Sequence, residues 1–219
     1  QSGVKIVAAT GYNHERFSAP FLTDVTVQEL SVRYAREIMI GMDASTVCAG
    51  LIKASSPLNT ISPLAEKMLV AAALTHQMTN APISTHTEAG TMALEQIELL
   101  TGSGAAPASI VIGHLDRNLE WDYHLQIARS GVFLGYDQIA KEKYYPDSLR
   151  AEFISRLFSE GHGGQILLSG DLARRSYWYT YSGGKDLGFR FILARFVPLL
   201  KEQGMTDSQI HTLLVDNPA

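Results

Sequence analysis

The chain has 219 residues, 46% hydrophobic and 18% charged, which is the composition of a globular protein rather than a disordered or fibrous one. A formal net charge of −4 excludes an overall electrostatic footprint for nucleic acid or anionic membrane. A single cysteine, Cys48, excludes a disulfide scaffold and points to a reducing, cytoplasmic setting; no apolar run reaches the ~18 residues of a membrane span, and no secretory pattern opens the chain.

In chain order, Val4–Thr10 reads as a strand. Thr26 opens a T-x-x-E capping box with Glu29, and Leu30, Tyr34, Ile38 and Met39 share one helical face. Val47–Ala54 is the next strand. Ser62-Pro63 starts a helix over Leu64–Gln77, with proline at the first helical position. Pro82–Thr87 reads as a strand, and Thr91–Leu100 as a helix ended by Thr101-Gly102-Ser103-Gly104. Strand Ser109–His114 precedes helix Leu119–Arg129, and strand Val132–Gln138 precedes helix Asp147–Glu160. Gln165–Asp171 is the last strand. An amphipathic helix follows over Leu187–Gln203, kinked by Pro198, and a short one starts at Thr206/Gln209. Strict strand–helix alternation predicts a parallel α/β sheet, either doubly wound or a (β/α)₈ barrel, in a single domain over 1–219. No phosphate-loop glycine motif follows any strand.

The polar residues at the strand ends carry the chemistry. In a parallel sheet those ends line the functional face, and here they bear Lys53, His86, His114 and Asp171. Imidazole and carboxylate together suggest a metal site of the zinc type. A lone strand-end histidine is more often a hydrogen-bonded core residue, and a strand-end aspartate is commonly a turn residue. A lysine inside an apolar strand is harder to dismiss, because its ammonium needs a partner or must lose its charge. One outcome is covalent, a carbamate formed with CO₂. Asp116 and Asp137 read as supports for such ligands. His14 lies in a loop within reach of the site. His76 and His124 read as surface or interface residues on helices, and Cys48 as core.

Five segments point to one family: VAATGY (7–12), AGLIKAS (49–55), PISTHTEAGTMALEQ (82–96), VIGHLDRN (111–118) and ILLSGDLARRSY (166–177). In this order they resemble the phosphotriesterase family of the amidohydrolase superfamily, binuclear-metal hydrolases on a (β/α)₈ barrel. The resemblance implies Lys53 as the carboxylated lysine bridging two divalent metals, zinc by preference and manganese or cobalt in its place. It implies His86 and His114 as ligands of one metal. It implies Asp171 as ligand of the other and as the catalytic group that takes the hydroxide's proton.

Two departures shape the expectation. The family's H-x-H motif is absent from the chain, and Val4–Thr10 resembles the family's third strand. The chain therefore reads as an incomplete barrel, lacking about the first two βα units, and a non-catalytic relative remains an alternative. The second departure is Gln138, where organophosphate-cleaving members usually have histidine. The runs Lys141–Asp147 and Arg174–Tyr177 resemble instead the branch that hydrolyses lactones, including phosphorylated sugar lactones, with Lys143, Arg174 and Tyr177 holding the phosphate. Lys141 and Lys143 can equally be read as solvated loop charges. Phosphotriesters or other carboxylic esters are the alternative substrates. A small-molecule substrate, no nucleic-acid or membrane partner, and a homodimer complete the expectation. Tyr177–Gly184 reads as a mobile loop over the pocket, hinged at Gly183-Gly184.

Overall fold

Residues 3–183 and 188–219 are described in a computed structural model of the chain, in which residues 1–112 and 113–219 form two units. In the first unit the elements are β1 (Ala8–Gly11), α1 (Glu15–Leu22), α2 (Val27–Met39), β2 (Ala49–Ser56), α3 (Pro63–Thr79), β3 (Ile83–Thr87) and α4 (Ala93–Gly102). They end with β4 (Ile110–Gly113), whose last residue opens the second unit. Neighbouring strands are consecutive in the chain, and β1 with β2 and β2 with β3 pair parallel, as strict alternation predicts.

The helix starts follow their caps. Glu29 N–H donates to Thr26 Oγ1 at 3.2 Å and Thr26 N–H to Glu29 Oε2 at 2.9 Å, completing the expected capping box of α2. Ala65 N–H donates to Ser62 Oγ at 3.0 Å, with Pro63 inside the first turn of α3. Leu30 and Tyr34 of α2, Met68, Leu69 and Ala72 of α3, and Ile52 of β2 are buried and form the core of this layer.

Two expectations shift here. The first strand starts at Ala8, and Val4, Ile6 and Val7 are exposed. Its end is fixed by Gly11, at φ +94°: a Cβ there would lie 2.0 Å from the Lys53 carbonyl oxygen, so only glycine lets β1 close on β2 at Lys53. Helix α1 was not legible. His14, expected in a loop, is its N-cap, and its Nδ1 accepts from Arg16 N–H at 3.2 Å.

The second unit continues with α5 (Trp121–Arg129), β5 (Phe133–Tyr136), α6 (Asp147–Ser159), β6 (Ile166–Leu168), α7 (Val197–Glu202) and α8 (Asp207–His211), with β5 and β6 parallel. The strain expected at Pro198 is taken up as a wide π-turn over Ile192–Phe196, in which Val197 N–H bonds back to Ile192 O. The hinge glycine Gly184 and the expected helix start at Leu187 lie outside the described residues. No described helix is long and apolar enough to cross a membrane.

His124 corrects the surface reading: it is fully buried, as His76 nearly is. Periodicity places a histidine on a helix without saying which face turns inward. His76 Nδ1 meets Ala81 O at 2.9 Å. His124 Nδ1 accepts from Tyr136 OH at 2.7 Å while Nε2–H donates to Asn118 O at 2.8 Å, pinning the turn after β4 to α5 and β5. Burial lowers the pKa of His124 to about 4, against partial compensation from the Asn118 and Leu115 carbonyls. The folded state keeps His124 neutral while the unfolded chain protonates it near pH 6.5, so its contribution is complete above that value and lost as pH falls toward 4. The wild type should therefore lose about 2 kcal/mol more stability than His124→Gln between pH 7.5 and 5, measured by urea unfolding. Parallel pH profiles for the two proteins would show that His124 is not held neutral.

Candidate functional site

In the first unit, Lys53 lies within β2 rather than at its end, with Ala54, Ser55 and Ser56 still to come. Ser55 pairs with His86 of β3, so Lys53, two residues earlier, shares a sheet face with His86. Lys53 Nζ donates to Thr85 O at 3.0 Å. His86 Nε2 lies 3.2 Å from Glu88 Oε2, and the His14 ring stands 6.2 Å from the His86 ring. A buried residue missed from the sequence, Gln96 of α4, ties the two strand ends together. Its Nε2 donates to Ser56 Oγ at 2.6 Å and to His86 O at 3.0 Å.

In the second unit, His114 follows β4 directly and Asp171 comes three residues after β6. Both are left-handed, at φ +62° and +41°, conformations costing about 1–3 kcal/mol each in non-glycine residues. His114 is held twice by Asp137: its backbone N–H donates to Oδ2 at 2.9 Å and its Nδ1 lies 2.6 Å from Oδ1. A carboxylate oxygen only accepts, so Nδ1–H donates in that bond, and Gln138 Nε2 lies 2.9 Å from the same nitrogen. This carboxylate–imidazole pair is how metal-binding histidines are oriented. Burial opposes the charge on Asp137, but the bonds from His114 and Gln138 outweigh it and lower its pKa.

Gln138 and Lys141 connect this pair to Asp171. Gln138 Nε2 donates to Asp137 Oδ1 at 2.9 Å and reaches Asp171 Oδ2 at 3.3 Å. Lys141 is buried, against the reading of it as a solvated charge, and donates to Asp171 Oδ2 at 2.6 Å. Behind them lies a charge network without solvent. Asp116 accepts Asp137 N–H at 3.2 Å and Gln138 N–H at 2.9 Å, and pairs with Arg150 Nε at 2.8 Å. Arg150 Nη1 reaches Asp147 Oδ1, also at 2.8 Å. Burial first, then the Asp137 charge, raise the pKa of Asp116 to about 6; Arg150 and the Gln138 N–H pull the other way. The supporting roles expected of Asp116 and Asp137 are thus present. Arg150 was missed, although Asp147, Arg150, Ala151 and Ile154 recur at helical spacing on the buried face of α6.

Of the three expected phosphate ligands, Lys143 and Tyr177 are brought together. A bond to Tyr144, reinforced by Tyr177 and opposed by slight desolvation, raises the Lys143 pKa. Tyr177 also lies under Lys141, whose Nζ is 4.9 Å from the ring centre. Arg174 is exposed at the start of the turn Arg175–Tyr177. Cys48, expected in the core, is exposed. The donor types suit a divalent ion, but among the described residues no three His, Cys, Asp or Glu side chains cluster closely enough to hold one.

The whole chain, residues 1–219, matches the phosphotriesterase family. The chain belongs to that family. It is 34% identical to the phosphotriesterase homology protein of Escherichia coli (strain K12), over all of this chain and 74% of that protein. The crystal structure of the Escherichia coli protein, with phosphate in its active site, superposes at a TM-score of 0.93. The chain is 36% identical to a phospho-furanose lactonase of Mycoplasmopsis synoviae, over 99% of this chain and 66% of the relative. A Listeria monocytogenes lactonase structure matches at 37% identity and a TM-score of 0.90, over 99% of this chain and 72% of its own. The fold is therefore that of the family barrel, with six strands among the described residues.

For this family member the Asp116–Arg150 pair is the testable support. Arg150→Met should destabilise by about 3–5 kcal/mol in urea unfolding, because Asp116 and Asp147 are left as buried charges. Arg150→Met/Asp116→Asn should recover part of the loss. No recovery would mean that the packing of Arg150, not its charge, matters.

Proposed function

We propose that the protein is a metal-dependent hydrolase opening a lactone ester, with a phosphorylated sugar lactone as its substrate class. The observation that carries this is the His114–Asp137 pair, the kind of carboxylate–imidazole contact that orients metal-binding histidines, at a strained position after a barrel strand. Family membership supports Lys53, as its CO₂ carbamate, with His86, His114 and Asp171 as holders of two divalent ions, zinc by chemistry. Such ions supply Lewis-acid activation of the carbonyl and of water. Asp171 accepts the proton of the attacking water on a carboxylate oxygen. Lys143, Arg174 and Tyr177 hold the substrate phosphate, two cations and a phenol suiting an anion. The lactonase relatives at 36–37% identity favour lactones over phosphotriesters.

A second reading, a barrel that binds without turnover, is favoured by the lack of a three-residue His, Cys, Asp or Glu cluster among the described residues. Purified protein should carry about two divalent ions and hydrolyse a phosphorylated furanose lactone faster than a plain lactone or paraoxon. Arg174→Ala should lower activity on the phosphorylated lactone about 10- to 100-fold and leave the plain lactone little changed. Equal losses on both would remove the phosphate clamp, and metal-free, inactive protein would favour the binding module.

A further inference from the structure

Lys141 is used in full by the protein. Its Nζ donates to Asp171 Oδ2 at 2.6 Å, to Asp171 O at 2.9 Å and to Gln138 Oε1 at 3.1 Å, one acceptor for each ammonium proton. The side chain is only 6% exposed. No donor remains for a substrate phosphate, although Tyr177 is adjacent, so Lys141 does not belong with Lys143 and Arg174.

Two of its three bonds hold Asp171 and the third holds Gln138. Asp171 is left-handed, and the same ammonium that meets its carboxylate also holds its carbonyl, offsetting the strain. The second donor to this carboxylate, Gln138 Nε2, reaches the same Oδ2 at 3.3 Å, and Gln138 is itself oriented by Lys141 through Oε1. Among the described residues no hydrogen-bond donor is placed on Oδ1. Held this way, the two oxygens of the carboxylate are not equivalent.

We propose that Lys141 is a positioning residue that assigns Asp171 Oδ2 to the protein and Oδ1 to the reaction. The proposal rests on the reading of Asp171 as ligand and proton acceptor. It would leave Asp171 one oxygen for a metal ion or a proton, with the side chain's orientation set before substrate arrives. It also gives Gln138 a role, since a side chain without a donor there frees one side of Oδ2.

The test compares Lys141→Met, Asp171→Asn and the double variant, reading kcat and KM on a furanose lactone and bound metal under chelator competition. Lys141→Met should lower kcat about 10- to 100-fold with KM within about twofold, and release metal more readily by a similar factor. The double variant should be no slower than Asp171→Asn alone, because Lys141 acts only through Asp171. If Lys141→Met does not fold, Lys141→Gln, which keeps one donor, should show a smaller loss with the same non-additivity. Losses that multiply in the double variant, or a single variant with kcat and metal retention within twofold of wild type, overturn the proposal. An active wild type with inactive Asp171→Asn and normal Lys141→Met overturns it alone, whereas a wild type that neither takes up zinc nor opens the lactone overturns the hydrolase reading with it.

Discussion

The geometry around His114 and Asp171 depends on one buried contact, the guanidinium of Arg150 against the carboxylate of Asp116. Neither side chain reaches solvent. Such a pair adds little net stability, since desolvating two charges offsets their attraction. What it supplies is position. Asp116 presents one oxygen to each of two successive N–H groups, Asp137 and Gln138, and so fixes the start of the segment after β5. Arg150 also donates to Tyr145 O and holds Asp147, which accepts Ala140 N–H at 3.1 Å, and so fixes its end. The residues between have neither helix nor strand to define them. Polar cross-bracing does that work, which is why the loop can present Asp137, Gln138 and Lys141 in fixed places.

Strain is the second constraint. His114 and Asp171 occupy a backbone region that favours glycine, and each is restrained by a charged partner, Asp137 for the first and Lys141 for the second. Turning a side chain sharply off the end of a strand aims it differently from the side chains within the strand. The same partners settle the chemistry of each group. The Asp137 carboxylate faces the imidazole Nδ1, and the Lys141 ammonium faces one oxygen of the Asp171 carboxylate.

The fold was legible because its signals are local. Alternating apolar runs, the Thr26/Glu29 and Thr206/Gln209 boxes and Ser62-Pro63 mark elements that the structure contains, with boundaries moved by a few residues. Helix α1 escaped because Pro20 lies inside it, and proline reads as a breaker. The candidate ligand types could be named from strand ends and family resemblance, but their supports could not. Lys141 sits beside Glu142 and Lys143 and looks solvated, and only the fold turns it inward. Arg150 left a trace in the period of α6, but a charged residue on an apolar face is informative only once its partners, 34 and 3 residues away, are in place. Cys48 and His124 failed in opposite directions for the same reason: residue type suggests an average burial, while packing decides the particular case.

We propose that the Asp137 carboxylate prepares His114 as a ligand through Nε2. Nitrogen-15 NMR of the His114 ring, before and after addition of zinc, tests it directly. The prediction is a proton on Nδ1 throughout, with the Nε2 resonance moving on metal addition. A ring protonated at Nε2 in the free protein, or one in which Nδ1 moves and Nε2 does not, would contradict it.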